Sequence, residues 1–164
     1  MPDRAIAIQD QTPMSPWEVV HHVSNFYDFP LEGLADLNRA PHAFFVHDEL
    51  VVPSEEDPDE KEIQVIYALY PVSAQLASDL SEKHDIFERW HQAWSQDQGM
   101  MKHHPALPQD RSRYDELKVG LSAQLDAVKL SVAPLVRAGR FASNRRDVAP
   151  GASRWRSFEV QWQA

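Results

Sequence analysis

Two long amphipathic helix patterns, set between segments of β type, constrain the fold of this chain most. The first pattern follows Ser73 and covers residues 74–94, and the second begins at Asp110 or Ser112 and stops at Pro134. Apolar residues recur in both, mostly at steps of three or four, so they share one face of each helix. The two apolar stripes are Leu76, Leu80, Phe87, Trp90 and Trp94, and Tyr114, Leu117, Leu121, Leu125, Val128 and Val132. Each helix therefore needs an apolar surface to pack against.

The flanking segments supply that surface as β-strands. Residues 17–27 are rich in β-branched and aromatic types and favour a strand, although Ser15 as N-cap and Pro16 at the first position would also suit a helix. The remaining strand-like segments are 31–37, 42–47, 63–70, an extended run from Gly139 to Val148, and 158–162. Of these six strand-like segments we expect about four to five to form one antiparallel sheet. The expected order, β-β-β-α-α-β, predicts an α+β fold with a pair of helices packed on one face.

One hairpin has a clear turn signal. Asn38-Arg39-Ala40-Pro41 separates the segments 31–37 and 42–47. Asparagine tolerates left-handed backbone, and proline is accepted at the start of a strand. Gly33, inside the first segment, indicates a bulge or a close approach of another group.

Length and composition favour one domain over residues 17–164, preceded by a loose proline-containing arm, residues 1–16. The chain has no cysteine, which excludes disulfides, Cys-ligated zinc, iron–sulfur clusters and thiol catalysis. The start carries Asp3 and Asp10 and lacks a long apolar stretch, so we predict no signal peptide. No run approaches the ~18 apolar residues of a membrane span, and we predict a cytoplasmic protein.

Charge is divided unequally along the chain. Residues 1–100 hold 5 Lys/Arg and 19 Asp/Glu, a balance of −14, whereas residues 101–164 hold 11 Lys/Arg and 6 Asp/Glu, a balance of +5, giving −9 in total. The two parts either neutralise each other within the fold, which we favour, or serve a charged partner. The candidate partner-binding acids lie in one loop: Glu55, Glu56, Asp57, Asp59, Glu60 and Glu62.

Several function classes lack their signatures. The chain has only 5 glycines, with no GxGxxG or GxxxxGK[ST] motif and no GxSxG elbow, which excludes the common nucleotide cradles and serine hydrolases of that type. A basic segment interleaves arginines with Phe141 and Trp155, a pattern that suits nucleic acid. The strong overall negative charge disfavours that interpretation. The arginines are Arg137, Arg140, Arg145, Arg146, Arg154 and Arg156.

Histidine and tryptophan supply the candidate site residues. His84, Glu88 and His91 lie at i, i+4 and i+7 on the first helix, a spacing that could hold a metal ion. The HEXXH spacing is absent and His84 borders the apolar stripe, so we commit to no metal and expect no cofactor. The candidate pocket between the helices and the sheet consists of His42, Trp90, Trp94 and His104.

Three stretches resemble a set of uncharacterised bacterial proteins: FPLEGLADLNRAPHAF, HPALPQDRSRYDEL and the ending from Pro150-Gly151 to FEVQW. The chain departs from that set at Phe29, where glycine is expected, and in the long acidic loop. The resemblance implies a single α+β domain in a bacterial cytoplasm and transfers no site residue.

From the sequence we favour a small acidic, non-enzymatic interaction or accessory protein, immunity-like or regulatory, that binds a basic protein partner. The alternative is a small-ligand-binding protein, or a metal-dependent enzyme, with a His/Trp pocket between the helices and the sheet. The sequence disfavours nucleic acid and membrane as partners and leaves a homodimer open.

Overall fold

Six antiparallel strands close into a barrel, and a pair of helices is inserted between the fourth and fifth strands. The computed structural model describes residues 15–96, 105–143 and 158–164. The strands are β1 (Trp17–Tyr27), β2 (Phe29–Leu37), β3 (Ala40–Pro53), β4 (Lys61–Pro71), β5 (Leu135–Ser143) and β6 (Phe158–Gln163). The helices are α1 (Ala74–Gln96) and α2 (Arg111–Ser131), with a short 3₁₀ turn, Pro108–Asp110, before α2.

The predicted open sheet of four to five strands with helices on one face is therefore wrong. The observed order is β-β-β-β-α-α-β-β, and each strand pairs with its neighbour in sequence. The barrel closes where β1 pairs with β6, with Trp17 opposite Gln161 and Val19 opposite Glu159. That pairing joins residues more than a hundred positions apart, and no local pattern encodes it.

The local predictions fared better than the architecture. Helix α1 begins after Ser73, whose side-chain oxygen accepts a hydrogen bond from the amide of Leu76 at 3.1 Å, so the predicted N-cap is confirmed. Helix α2 begins after Asp110, but that carboxylate makes no capping bond and instead pairs with Arg89. The hairpin between β2 and β3 is confirmed, and Gly33 shows the predicted close approach, as described below.

Aromatic rings fill the inside of the barrel over the described residues. Phe44, Tyr67, Phe141 and Trp162 lie against one another with ring centroids 5.4 to 6.1 Å apart, mostly edge-on or tilted. The Tyr67 hydroxyl donates a hydrogen bond to the Pro30 carbonyl at 2.7 Å, and burial raises its pKa. Small barrels are commonly filled by side chains in this way.

The helices lie on the outside of the barrel, against β1, β2, β3 and β4. Side chains alternate along β3, so Phe44 points into the barrel while Ala43 and Phe45 face outward. A second apolar cluster joins the two helices through Leu76, Ile86, Tyr114, Leu117 and Leu121. Between this cluster and the outer surface of the barrel there is an unfilled space.

None of the helices in the described part of the chain is long and apolar enough to cross a membrane. Most of the predicted loose arm, residues 1–14, lies outside the described residues.

Candidate ligand cavity between barrel and helices

A cavity of about 250 Å³ lies between β1–β3 and the two helices. Its apolar wall comes from Ala43 and Phe45 of the barrel and from Leu80, Phe87 and Leu125 of the helices. The polar side chains that line it are His22, Ser24, Glu32, Lys83, His84 and Tyr114. The volume lies just below the range of ~300–1,000 Å³ found for drug-sized ligands, so the cavity suits a smaller molecule.

Two buried histidines that line this cavity are in contact with each other. The rings of His22 on β1 and His84 on α1 stack with centroids 4.6 Å apart and an angle of 14° between their planes. Glu88, one helical turn after His84, places Oε1 3.5 Å from His84 Nε2. A buried carboxylate is costly without a compensating partner, and His84 is the adjacent titratable group.

His22 reaches the helices because β1 contains an irregularity. Val20 pairs with Ala35 and His22 pairs with Leu34, so β1 holds one extra residue between them. Val20 consequently joins the barrel core, whereas His22 turns outward to His84. Its neighbour His21 lies on the surface and contacts Asp36 at 2.7 Å. Around this extra residue both histidines lie outside the barrel core, so the alternation of a regular strand is interrupted here, and His22 meets the helix while His21 stays on the surface.

Lys83 is the cation of the cavity. It is half-buried, and its Nζ lies 5.7 Å from the centre of the Tyr114 ring. Burial lowers the pKa of Lys83, nearby Lys118 lowers it further, and Glu32 opposes both effects. Burial also raises the pKa of Tyr114, with a further contribution from Asp115. Within the described residues Lys83 forms no ion pair with a carboxylate.

The structure separates the residues of the pocket predicted from the sequence. His42 lies at the start of β3, where its Nδ1 is 2.8 Å from the Ala40 carbonyl oxygen, and it does not line the cavity. Trp90 and Trp94 stack on each other along α1 with ring centroids 6.1 Å apart, also away from the cavity. His104 lies outside the described residues.

The three residues of the weak metal candidate are also not brought together. His84 and Glu88 are in contact, but His91 instead stacks on Phe87 and lies tilted against Trp94. In residues 15–96, 105–143 and 158–164 no group of three His, Asp or Glu side chains is placed to hold a metal ion.

The predicted acidic cluster lies at the tip of the hairpin between β3 and β4. Backbone bonds from Ser54 N to Glu60 O and from Glu60 N to Asp57 O, both 2.9 Å, close the tip. None of its six acids forms an ion pair with a described Lys or Arg side chain. Of the predicted arginine set, Arg140 and the tip acids Glu55, Glu56 and Glu62 line one opening at this end of the barrel. Arg145, Arg146, Arg154 and Arg156 lie outside the described residues.

Sequence reasoning missed three of the residues that define the cavity: His22, Glu32 and Lys83. Lys83 lies one residue before the candidate His84, on a helix whose apolar stripe was predicted. That proximity was the one local sequence signal that Lys83 belongs to the site. His22 depends on the extra residue in β1, and Glu32 depends on how β2 faces α1.

Comparison with known proteins adds nothing to the assignment of the cavity, since no family model, curated protein or solved structure matches the chain.

Proposed function

We propose that the protein binds a small organic molecule in the cavity between the barrel and the helix pair. The observation that carries this proposal is the composition of the cavity: apolar walls with few polar groups that converge on one space. Small-molecule sites are typically built this way, because apolar walls contribute affinity and a few polar groups fix orientation.

The stacked histidines add a proton-transfer capacity to this site. Imidazole donates or accepts a proton near neutral pH, and the Glu88 carboxylate lies 3.5 Å from His84 Nε2. Binding requires only the cavity, so the proposal is stated at the level of ligand binding and no reaction is assigned.

A cavity-filling substitution tests the proposal. Ala43 lines the cavity and is buried, so Ala43→Leu should occupy part of the space where a ligand would lie. Ala123→Leu is the matched control, because Ala123 lies on the exposed outer groove of α2. The probe is a panel of small carboxylic acids, amines, alcohols and amino acids, screened by saturation-transfer NMR.

We expect compounds that bind the wild type and Ala123→Leu but not Ala43→Leu, with all three proteins equally folded by circular dichroism. Equal binding to Ala43→Leu, or no binding by any member of the panel, would contradict the proposal.

A second candidate function rests on the hairpin between β3 and β4. Its outer part, residues 46–53 and 61–65, is named here the β3–β4 ribbon, since it pairs with no other described strand. Val51 and Ile63 on this ribbon are 69% and 60% exposed, and the acidic tip follows directly. Exposed apolar side chains beside acids that pair with no described Lys or Arg suit a basic protein partner, which is the interaction role favoured from the sequence.

Pull-down from a native lysate followed by reconstitution with the purified partner tests this second candidate. The variant changes the six tip acids to Ser, and the control changes the same number of exposed acids elsewhere. The candidate predicts a basic partner that binds the wild type and the control, and binds the tip variant with a much lower association rate. Equal recovery by all three proteins, or recovery by none, argues against it.

A further inference from the structure

Two opposite charges line the cavity without pairing with each other. Lys83 projects from α1 and Glu32 from β2, and both are half-buried. Neither side chain forms an ion pair or a side-chain hydrogen bond with any residue in the described ranges. They are close enough for Glu32 to favour the charged form of Lys83. The cavity therefore presents a separated cation and anion to whatever occupies it.

Partly desolvated charges of this kind are costly unless a partner compensates them. An anionic ligand would pair with Lys83 but would be repelled by Glu32, and a cationic ligand would have the opposite problem. A molecule that carries both charges compensates both side chains at once. The apolar wall of Leu80, Phe87 and Leu125 then accommodates an uncharged part of the same molecule.

We propose that the ligand is a small zwitterion of the amino-acid class, with its carboxylate on Lys83 Nζ, its ammonium group on the Glu32 carboxylate and an apolar side chain against the helices. This proposal rests on the proposed ligand-binding function and names the ligand class. The cavity volume of about 250 Å³ fits a molecule of that size and is small for a peptide.

Three compounds that share one hydrocarbon skeleton test the contributions of the two ligand charges separately. Free leucine carries both, leucinamide lacks the carboxylate, and 4-methylpentanoate lacks the ammonium group. NMR titration of each against the wild type should give the highest affinity for leucine. We expect removal of either charge to weaken binding about ten-fold or more, as is typical of hydrogen bonds to charged groups.

The variants Lys83→Met and Glu32→Gln assign each charge to its partner. Lys83→Met should weaken leucine and 4-methylpentanoate binding but leave leucinamide unchanged. Glu32→Gln should weaken leucine and leucinamide binding but leave 4-methylpentanoate unchanged or improved. This crossed pattern would not arise if the substitutions merely disturbed the fold, since general damage would weaken all three compounds together.

Matched controls remove charges outside the cavity lining. Asp126→Asn removes an acid from the neighbouring groove on α2, and Lys61→Met removes a lysine at the start of β4. Both should bind leucine nearly as the wild type does.

Each outcome distinguishes this proposal from the proposed function. If other members of the small-molecule panel bind in the cavity but leucine, leucinamide and 4-methylpentanoate bind equally, or not at all, the zwitterion proposal is wrong and the ligand-binding function stands. If no compound binds the wild type, both are wrong. Equal losses in Lys61→Met and Lys83→Met would also overturn the zwitterion proposal.

Discussion

Lysine and glycine show how position decides the behaviour of a single residue in this protein. Lys83 has the same chemistry as the chain's other lysines, yet burial between α1 and the barrel lowers its pKa. Gly33 and Gly120 share the same minimal side chain, but the first lies in β2 under a crowded ring and the second on α2. For both residue types the structural surroundings determine how a substitution changes the free energy of unfolding. Each case gives a measurable prediction.

The lowered pKa of Lys83 makes protein stability depend on pH. The unfolded chain binds more protons than the folded one between the folded and unfolded pKa values of Lys83. The unfavourable contribution of the charged Lys83 to the stability of the fold is therefore fully present below that pH interval. It disappears as pH rises through the interval. Lys83→Met should raise the free energy of unfolding at neutral pH, and this advantage should shrink at alkaline pH.

Urea denaturation at neutral and alkaline pH measures this difference, with Lys129→Met as the control. Lys129 Nζ lies 3.8 Å from the centre of the Phe45 ring, and its removal should cost stability through the lost contact. A stability difference for Lys83→Met that does not change with pH would contradict the assignment.

The same change, Gly to Ala, should have opposite effects at two positions. A Cβ at Gly33 would lie 2.2 Å from the His22 carbonyl oxygen and 2.8 Å from the Phe44 ring. Gly33→Ala should therefore destabilise by about 1–3 kcal/mol or more. At Gly120 the nearest atom, Gln124 Nε2, is 4.0 Å away, so Gly120→Ala should stabilise α2 by about 0.5–1 kcal/mol. Thermal unfolding of both variants provides the measurement, and shifts of the same sign would refute the prediction.

At the scale of single elements, the turn of the β2–β3 hairpin is held by hydrogen bonds to a buried glutamate. Asn38 and Arg39 both have left-handed backbone, with φ of 54° and 63°. The buried Glu18 side chain accepts hydrogen bonds from both of their amides, at 2.7 and 3.3 Å. Two consecutive left-handed residues define the tight turn that matches the twist of a hairpin. Asn-Gly is the preferred pair for that turn, and here arginine occupies the second position.

Arg39→Gly should consequently stabilise the protein. A left-handed conformation costs a non-glycine residue about 1–2 kcal/mol, and the extra chain entropy of glycine offsets part of the gain. We expect a net gain of about 0.5–1 kcal/mol in the free energy of unfolding. Ala40→Gly is the control, since Ala40 begins β3 without a positive φ, and it should destabilise instead. Chemical denaturation of the two variants tests whether the left-handed backbone of Arg39 is the cause of the stability change.

The sequence predicted elements well where the signal was local. The Ser73 cap, the leucines of both helical stripes and the Asn38 turn all depend on residues within a few positions of one another, and each appears in the structure. The predicted stripe residues Trp94 and Val132 are instead exposed. The barrel was missed because its closure depends on β1 meeting β6. The cavity was missed for a related reason, since His22 faces His84 only through one extra residue in β1. A single inserted residue reverses the side-chain alternation, and composition gives no sign of it.

At the scale of the whole molecule, the packed barrel and the projecting β3–β4 ribbon should differ in local stability. Barrel strands pair with neighbours on both sides, whereas the backbone of residues 46–53 and 61–65 pairs only within the ribbon among the described strands. Segments with few buried contacts open with a small free energy.

Hydrogen–deuterium exchange should show this difference directly. Amides of the ribbon should exchange many times faster than those of residues 66–69, which belong to the same strand but pair on both sides. Comparable protection along all of β4 would mean that a further segment covers the ribbon.

Closure of the barrel by β1 and β6 also makes the molecule a candidate for circular permutation. Ser15 and Ala164 line one small hollow, and the Gln161 side chain donates a hydrogen bond to the Ser15 carbonyl. A permutant of residues 15–164, with a short linker from Ala164 to Ser15 and new ends between Asp57 and Pro58 at the ribbon tip, retains every described strand pairing. Such a permutant should keep its barrel and its ligand cavity, with its ends at the acidic tip on the opposite side of the fold.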